Sequence, residues 1–488
     1  MGGSVMEFQE WLPDQPAYLN KGVITALNCY PSAVGYRSVN AFSAVSGAAT
    51  SKIRGVFAAK DNAGNVKLFA GDDTKLYVFG GAGNSLVDAS KSGGYNIGSS
   101  GRWRHTQFGD KLLVAGGTGE EVQKWHLGTD TSFSDLSASC PKADFITVVR
   151  DQVWVASVDD GSGKQPFRVQ WSGINDETSW TVGTDQSDFQ DIPDAGSITG
   201  LCGGQNAVIL MERAIAVASY VGSPLIYQID RVETARGCAY SGSVAQIGGM
   251  VFFLAEDGFY AFDGSRSQPI GAEKVNRFFL DDMDLAYTNK MSAAVDPTQQ
   301  VVAWSYVSNA SPNGEPDRMI VFNYALGRWS LVEVGADIIA PFFTSGQDLE
   351  SLDSVYASID AISSTVDSHL FKGGSFVFGG AYQNKLHAFT GAPIVGTFET
   401  AEFSLAKDKH AVVTRTVPHF TGGSVSMQIG ARDRQDDPVV YDAGSALTNE
   451  GFCEHRVQGR FHRAKMTISG NWQNAQGVDL EGRPLGRR

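Results

Sequence analysis

The stretch FRVQWSGINDETSW, Phe167 to Trp180, sets two tryptophans around an Asn-Asp pair and several small hydroxyl side chains. Residues of these types do one recognisable kind of chemistry. Indole faces stack on sugar rings, and a pair of carboxylates flanking a glycosidic bond hydrolyses it. The same residues also make a strand followed by a turn. Phe167, Val169 and Trp171 alternate as one apolar face of a strand. The following residues, centred on Asp176, read as an Asn/Asp-stabilised turn, and Trp180 reads as a hydrophobic plug beneath it. The match to an Asp-box turn of sialidase-like propellers is poor, because Ser172 stands four residues before Asp176 and no glycine follows. The expectation is a structural turn.

The rest of the chain offers no better catalytic set. It contains no His-Glu-x-x-His, no Gly-x-Ser-x-Gly and no complete phosphate-binding loop; DDGSGKQ lacks the first glycine and the last hydroxyl. LDDMDL (280 to 285) lacks the alternating oxygens and central glycine of a calcium loop and reads as a solvated helix end. Cys453 and His455 form at most half a metal site, and His455 and His462 are seven apart. In MVFFLAEDGFYAFDG the Asp257-Gly258 pair is expected to take the positive backbone angles of a tight hairpin turn. No catalytic, cofactor-binding or metal-binding residue is assigned, and the expected class is non-enzymatic.

Bulk composition narrows the classes further. The chain has 488 residues, 42% hydrophobic and 19% charged, so it can bury a large core. A net charge of -14 argues against a surface that grips nucleic-acid phosphates. Five dispersed cysteines without a Cys-x-x-Cys read as buried thiols of a reducing compartment. The first residues lack the pattern of a secretory signal, and no apolar run is long enough for a bilayer, so membrane insertion is not expected.

The elements that must position these residues are short runs rich in Val, Ile, Phe, Tyr and Trp between Gly, Asp, Asn and Ser turns. One helix is expected within AEKVNRFFLDDMD (272 to 284), where Val275, Phe278, Phe279 and Met283 share a face. Strand units open near residues 54, 102, 143, 196, 242, 290 and 373, mostly 40 to 55 apart, as propeller blades do. The fold class is therefore all-β: a β-propeller of six or seven blades plus a small C-terminal antiparallel β domain. The expected division is an extended arm over 1–50, the propeller over 51–400 and the β domain over 401–488. That domain ends in a tail where Arg483, Arg487 and Arg488 sit among glycines as candidates for assembly contacts.

Three segments together, PDQPAYLNKGVITALNCYPSAVGYRSV (13 to 39), RVQWSGINDETSW (168 to 180) and the run from Ile198 to Leu280, resemble the tail-hub, tail-nozzle or packaged-DNA-stabilisation proteins of short-tailed bacteriophages. The third is the most specific, through its order of apolar strand, Arg-Gly-Cys, Asp-Gly hairpin, aromatic strand, Pro-Ile and short helix. The resemblance spans most of 13–335 and does not extend to the C-terminal region. It implies a structural virion protein, made in the host cytoplasm and placed in the tail. Its copies, six by the resemblance, form a ring below the portal and adaptor proteins, alongside tail needle or fibre proteins. Genomic DNA passes through that ring without specific binding. The alternative from a different class is a carbohydrate-binding or glycoside-hydrolysing propeller, with Trp171, Trp180, Trp304 and Trp329 as candidate sugar platforms.

Overall fold

The computed structural model describes residues 4–81, 84–343, 375–406 and 409–485. The β-branched and aromatic runs form strands, and they assemble into seven four-stranded antiparallel blades. Six follow one another along the chain: 55–88, 104–135, 142–191, 198–233, 245–269 and 292–332. The seventh comprises Ile338–Phe343, Phe376–Tyr382 and Lys385–Pro393, and its outer strand, Asn40–Ala44, comes from ahead of the first blade, with Phe42 opposite Phe389.

Each blade has two apolar faces to bury, and only its neighbours can cover them. Seven buried clusters result, one at each junction. Phe57, Phe69 and Trp125 fill the junction of blades 1 and 2, while Val56, Leu68 and Leu386 fill that of blades 7 and 1. Seven junctions for seven blades make a closed ring, which leaves no blade face wet. The chain is thus a seven-bladed β-propeller joined to a β domain.

One unit opening needs correction. The last blade opens at Ile338, and the strand near 373 is its second. Pro341 obscures that opening, since proline is unexpected in a strand. The innermost strand, however, turns a free edge to the central cavity, so the amide that proline lacks has no ladder partner to lose.

The C-terminal β domain is a sandwich, and a third of it comes from the other end of the chain. One sheet orders Cys29–Pro31, Tyr36–Ser38, Asn474–Pro484, Ala411–Thr421 and Cys453–Gly459, with Ser4–Glu7 also on Asn474–Pro484. The other orders Val23–Leu27, Gly396–Thr400, Phe461–Ser469 and Ser424–Arg432. The segment expected as an extended arm is therefore built into the sandwich and the seventh blade. Five of its apolar side chains, those of Phe8, Trp11, Val23, Cys29 and Tyr36, join the sandwich core. Their partners, such as Thr400 for Val23, lie hundreds of residues away, so local pattern gives no sign of them.

Val23–Leu27 also runs beside Arg328–Val332, the outer strand of blade 6, with Leu27 opposite Leu331. Blade 6 and one sandwich layer thereby form a single ten-stranded sheet. One apolar cluster follows it, from Phe259, Trp304 and Trp329 in the propeller to Phe398, Met466 and Trp472 in the sandwich. The expected helix is present as Asn276–Asp282, with Phe279 inward, and the Asp14 carboxylate accepts from the amides of Arg277 (2.9 Å) and Phe278 (2.8 Å) at its start.

Phe398 sits at the centre of the sandwich, with Phe8 5.2 Å, Tyr36 5.4 Å and Trp472 5.9 Å away between ring centroids. Phe398→Ala is expected to cost about 3–5 kcal/mol. Because the sheet is shared, urea denaturation should show one transition at a lower midpoint; two separated transitions would mean that the sandwich and propeller unfold independently.

Candidate functional site in the central cavity and at the blade junctions

Blade 3 carries the tryptophan-bracketed stretch. Trp171, on Lys164–Trp171, stacks on Trp154 at 4.8 Å, and Tyr227 of blade 4 meets both edge-on. Val169 lies in the same cluster, whereas Phe167 is half-buried outside it. Asp176 accepts from the amide (2.8 Å) and hydroxyl (2.7 Å) of Thr178, and these bonds hold its carboxyl below the usual carboxylate range. Trp180 lies in the cluster between blades 2 and 3 and donates its indole N–H to the Glu177 carbonyl at 2.7 Å. The sequence reading passed over Glu177, which is 4% exposed and pairs with Lys111 of blade 2. Its place between the turn aspartate and the plugging tryptophan was the signal available for it. The stretch fastens two blades together.

Asp257 and Gly258 lie one residue out of the expected register. Glu256 and Asp257 form the turn, Gly258 pairs with Ala255, and only Gly258 has a positive φ, +136°. Asn276 enforces the glycine, since a Cβ on residue 258 would stand 1.9 Å from its amide nitrogen. Asp257 accepts from the Tyr260 hydroxyl at 2.7 Å. Arg483 is not part of a tail: it is a strand residue opposite Val412, because the chain continues pairing through Pro484. Arg487 and Arg488 lie outside the described residues.

Trp304 and Trp329 are 0% exposed, and Trp171 and Trp180 are 2% exposed. None of the four can present a face to a sugar. All five cysteines are buried free thiols, and burial raises the pKa of each. Among the described residues no group of three or more His, Cys, Asp or Glu side chains is placed to hold a metal ion.

One trio does come together in the sandwich. The Thr416 hydroxyl is 3.1 Å from Nε2 of His455, whose Nδ1 is 2.7 Å from the Asp442 carboxylate. That is the hydroxyl, imidazole, carboxylate order of nucleophilic catalysis. Yet Thr416 and the His455 side chain are both 0% exposed, so no substrate reaches the hydroxyl. The trio ties neighbouring strands to a loop.

The inner strands of all seven blades surround a central cavity of about 540 Å³. Among the described residues, the chargeable side chains on its wall are those of Arg54, Arg102, Arg104 and His105, and the wall carries no Asp or Glu. His105 faces the cavity with its side chain exposed, and desolvation inside the ring lowers its pKa from the usual imidazole value. Two carboxylates at one mouth, Glu315 and Asp337, are both bound by Lys52. The cavity is basic within an acidic chain and lacks the carboxylate pair that glycoside hydrolysis uses.

No family model matches the chain, and no curated protein matches it. Solved structures with some likeness include an exo-beta-1,3-galactanase from Phanerochaete chrysosporium, 11% identical over 80% of this chain and 98% of that one, with a TM-score of 0.27. Others are a putative exported protein from Bacteroides fragilis, 11% identical over 60% and 89% with a TM-score of 0.29, and YCF48 from Cyanidioschyzon merolae, 10% identical over 52% and 92% with a TM-score of 0.25. Likeness at these scores carries no argument about activity, and the architecture rests on the strand order and the seven junctions.

Two predictions test these assignments. Trp180→Ala is expected to lower stability by about 3–5 kcal/mol and Asp176→Ala by about 1 kcal/mol, read from urea midpoints. Equal losses would break the reading of Trp180 as the plug. The second concerns His462, which is 0% exposed in the sandwich and stacked on Phe403. Among the described residues neither ring nitrogen has a hydrogen-bond partner in good geometry, and burial lowers its pKa, with the nearby backbone of Ala411 and Val457 offsetting part of that. A histidine whose folded pKa lies below its unfolded one takes up its proton more readily when unfolded. Stability should therefore fall as pH drops below about 6.5, by at most about 1.4 kcal/mol per pH unit. His462→Phe should flatten that fall; an unchanged pH profile would remove His462 as its source.

Proposed function

We propose that this chain is a structural subunit of a short-tailed bacteriophage tail. In this reading its copies close into a hub or nozzle ring below the portal and adaptor, which retains the packaged genome and then conducts it outward. The observation that carries the reading is the ten-stranded sheet, which joins propeller and sandwich through one continuous backbone ladder. A subunit of a ring that bears load needs fixed geometry between the surfaces it offers to its two neighbours, because heterologous contacts close only at a set rotation. The resemblance supports it independently: its segments build sandwich strands, blades 3 to 5 and the helix.

A cavity of about 540 Å³ has the size of a small-ligand pocket, so the DNA path in this reading lies between subunits and not through a propeller. The net charge of -14 suits a wall that lets phosphates pass. Partners are the adaptor ring and the needle or fibre proteins. The carbohydrate alternative needs exposed aromatics and a carboxylate pair, and neither the four tryptophans nor the cavity wall supplies them.

Electron microscopy of the purified chain, alone and mixed with its adaptor, is expected to show closed rings, six-fold by the resemblance. The loop joining the outer strands of blade 4 exposes Val221 (51%) and Leu225 (61%), and the double change to aspartate is expected to weaken ring formation without lowering Tm. A protein that stays monomeric with the adaptor and is absent from phage particles would overturn the proposal.

A further inference from the structure

One mouth of the central cavity gathers positive charge that its own carboxylates do not balance. Arg54 precedes the inner strand Gly55–Lys60 of blade 1, and Arg102 and Arg104 stand at the start of Arg104–Phe108 in blade 2. Strand alternation sets their direction. Trp103, between the two blade 2 arginines, turns its indole into blade 1 and donates to the Asp72 carbonyl at 2.7 Å. Arg102 and Arg104 therefore point the other way, and with Arg54 they line the cavity. Gly55 permits the close approach of the two blades, since a Cβ there would stand 2.6 Å from Cβ of Trp103.

Arg54, Arg102 and Arg104 are half-buried, and a guanidinium partly withdrawn from water favours an anion beside it. Lys52 takes Asp337 at 2.7 Å, Lys290 takes Glu315 at 3.1 Å, and Lys164 takes Asp144 at 2.6 Å. The arginines are left with backbone partners. Arg102 reaches across the mouth to the Asn289 carbonyl (3.1 Å), and Arg104 donates to the Asp144 carbonyl (3.0 Å). Nε of Arg54 is buried without a partner among the described residues. Desolvation, and then the charge of Arg104, push the Arg102 guanidinium down to about 10, with Asp337 opposing and Arg54 adding to that fall. Beside Arg54 and Arg102 opens a recess of about 180 Å³, also lined by Ser99 and Ser100 and by Lys52 and Lys290 with the carboxylates they pair, Asp337 and Glu315. That is room for roughly six water molecules.

We propose that this mouth binds a tetrahedral oxyanion of the phosphate class, held by the guanidinium forks of Arg54 and Arg102 with Arg104 behind them. A planar guanidinium offers two parallel N–H groups to two oxygens of one anion, and two such forks satisfy a dianion. The ligand is a free inorganic ion or the phosphate end of a small ester. This assignment holds independently of any role in a tail.

The test uses the full chain in chloride and in inorganic phosphate at matched ionic strength, followed by Tm and by titration calorimetry. Phosphate is expected to raise Tm saturably, and Arg102→Gln and Arg54→Gln each to weaken binding by about tenfold or more. Arg434→Gln, on an exposed sandwich loop, should leave binding unchanged. In chloride, Arg102→Gln should be at least as stable as the parent, because it removes one of three like charges that face one mouth. A second titration with a nucleoside 5′-monophosphate separates the sources: tighter binding, lost in Arg102→Gln, points to an ester, and equal or weaker binding points to the free ion. No saturable response to either probe, or binding unaltered in both glutamine variants, would overturn the proposal.

Discussion

Leu27 lies opposite Leu331, and through that pairing two units share one sheet. The join between sandwich and propeller depends on it. Without it the sandwich would meet the propeller through loops, and relative motion would be the default expectation. With it, the backbone ladder continues from blade 6 into the sandwich and the buried aromatic cluster continues beneath it. Each fully buried large apolar side chain in that cluster stabilises the whole by about 1.5–3 kcal/mol, so neither half can loosen without exposing part of the other.

The ring imposes a second constraint, on where charge can sit. Seven inner strands converge on one axis, so side chains at their starts face one another across a small space. Carboxylates there would repel, and the cavity wall carries none among the described residues. Arginines repel as well, yet three are kept within one mouth while neighbouring lysines and carboxylates neutralise each other.

What was legible in the sequence was what is local. Alternating apolar runs and glycine turns specified the strands, the helix face of Val275 and Phe279, and the packing of Trp171 and Trp180. What was hidden depends on distant pairing. Val23 finds Thr400 and Ser4 finds Leu480, and nothing in either short run marks its partner. Arg483 read as tail because glycines and a proline surround it, but a long partner strand holds it through backbone bonds that ignore side-chain polarity. The arginine mouth was equally invisible: residues 54, 102 and 104 become neighbours only because two blades meet at Gly55 and Trp103. Gly258 shows a finer limit, since the glycine was evident but its register was set by Asn276, eighteen positions later.

The strand that completes blade 7 has a consequence for how the molecule is made. Asn40–Ala44 leaves the ribosome early and must wait for Phe389 and its neighbours, while Val23 waits for Thr400 and Ser4 for Leu480. Pairings that span nearly the whole chain slow folding, since a very large loop must close before they contribute. They also act as a check on length. A chain cut before Leu480 has no partner for Ser4, and one cut before Phe389 keeps an unclosed ring with wet blade faces.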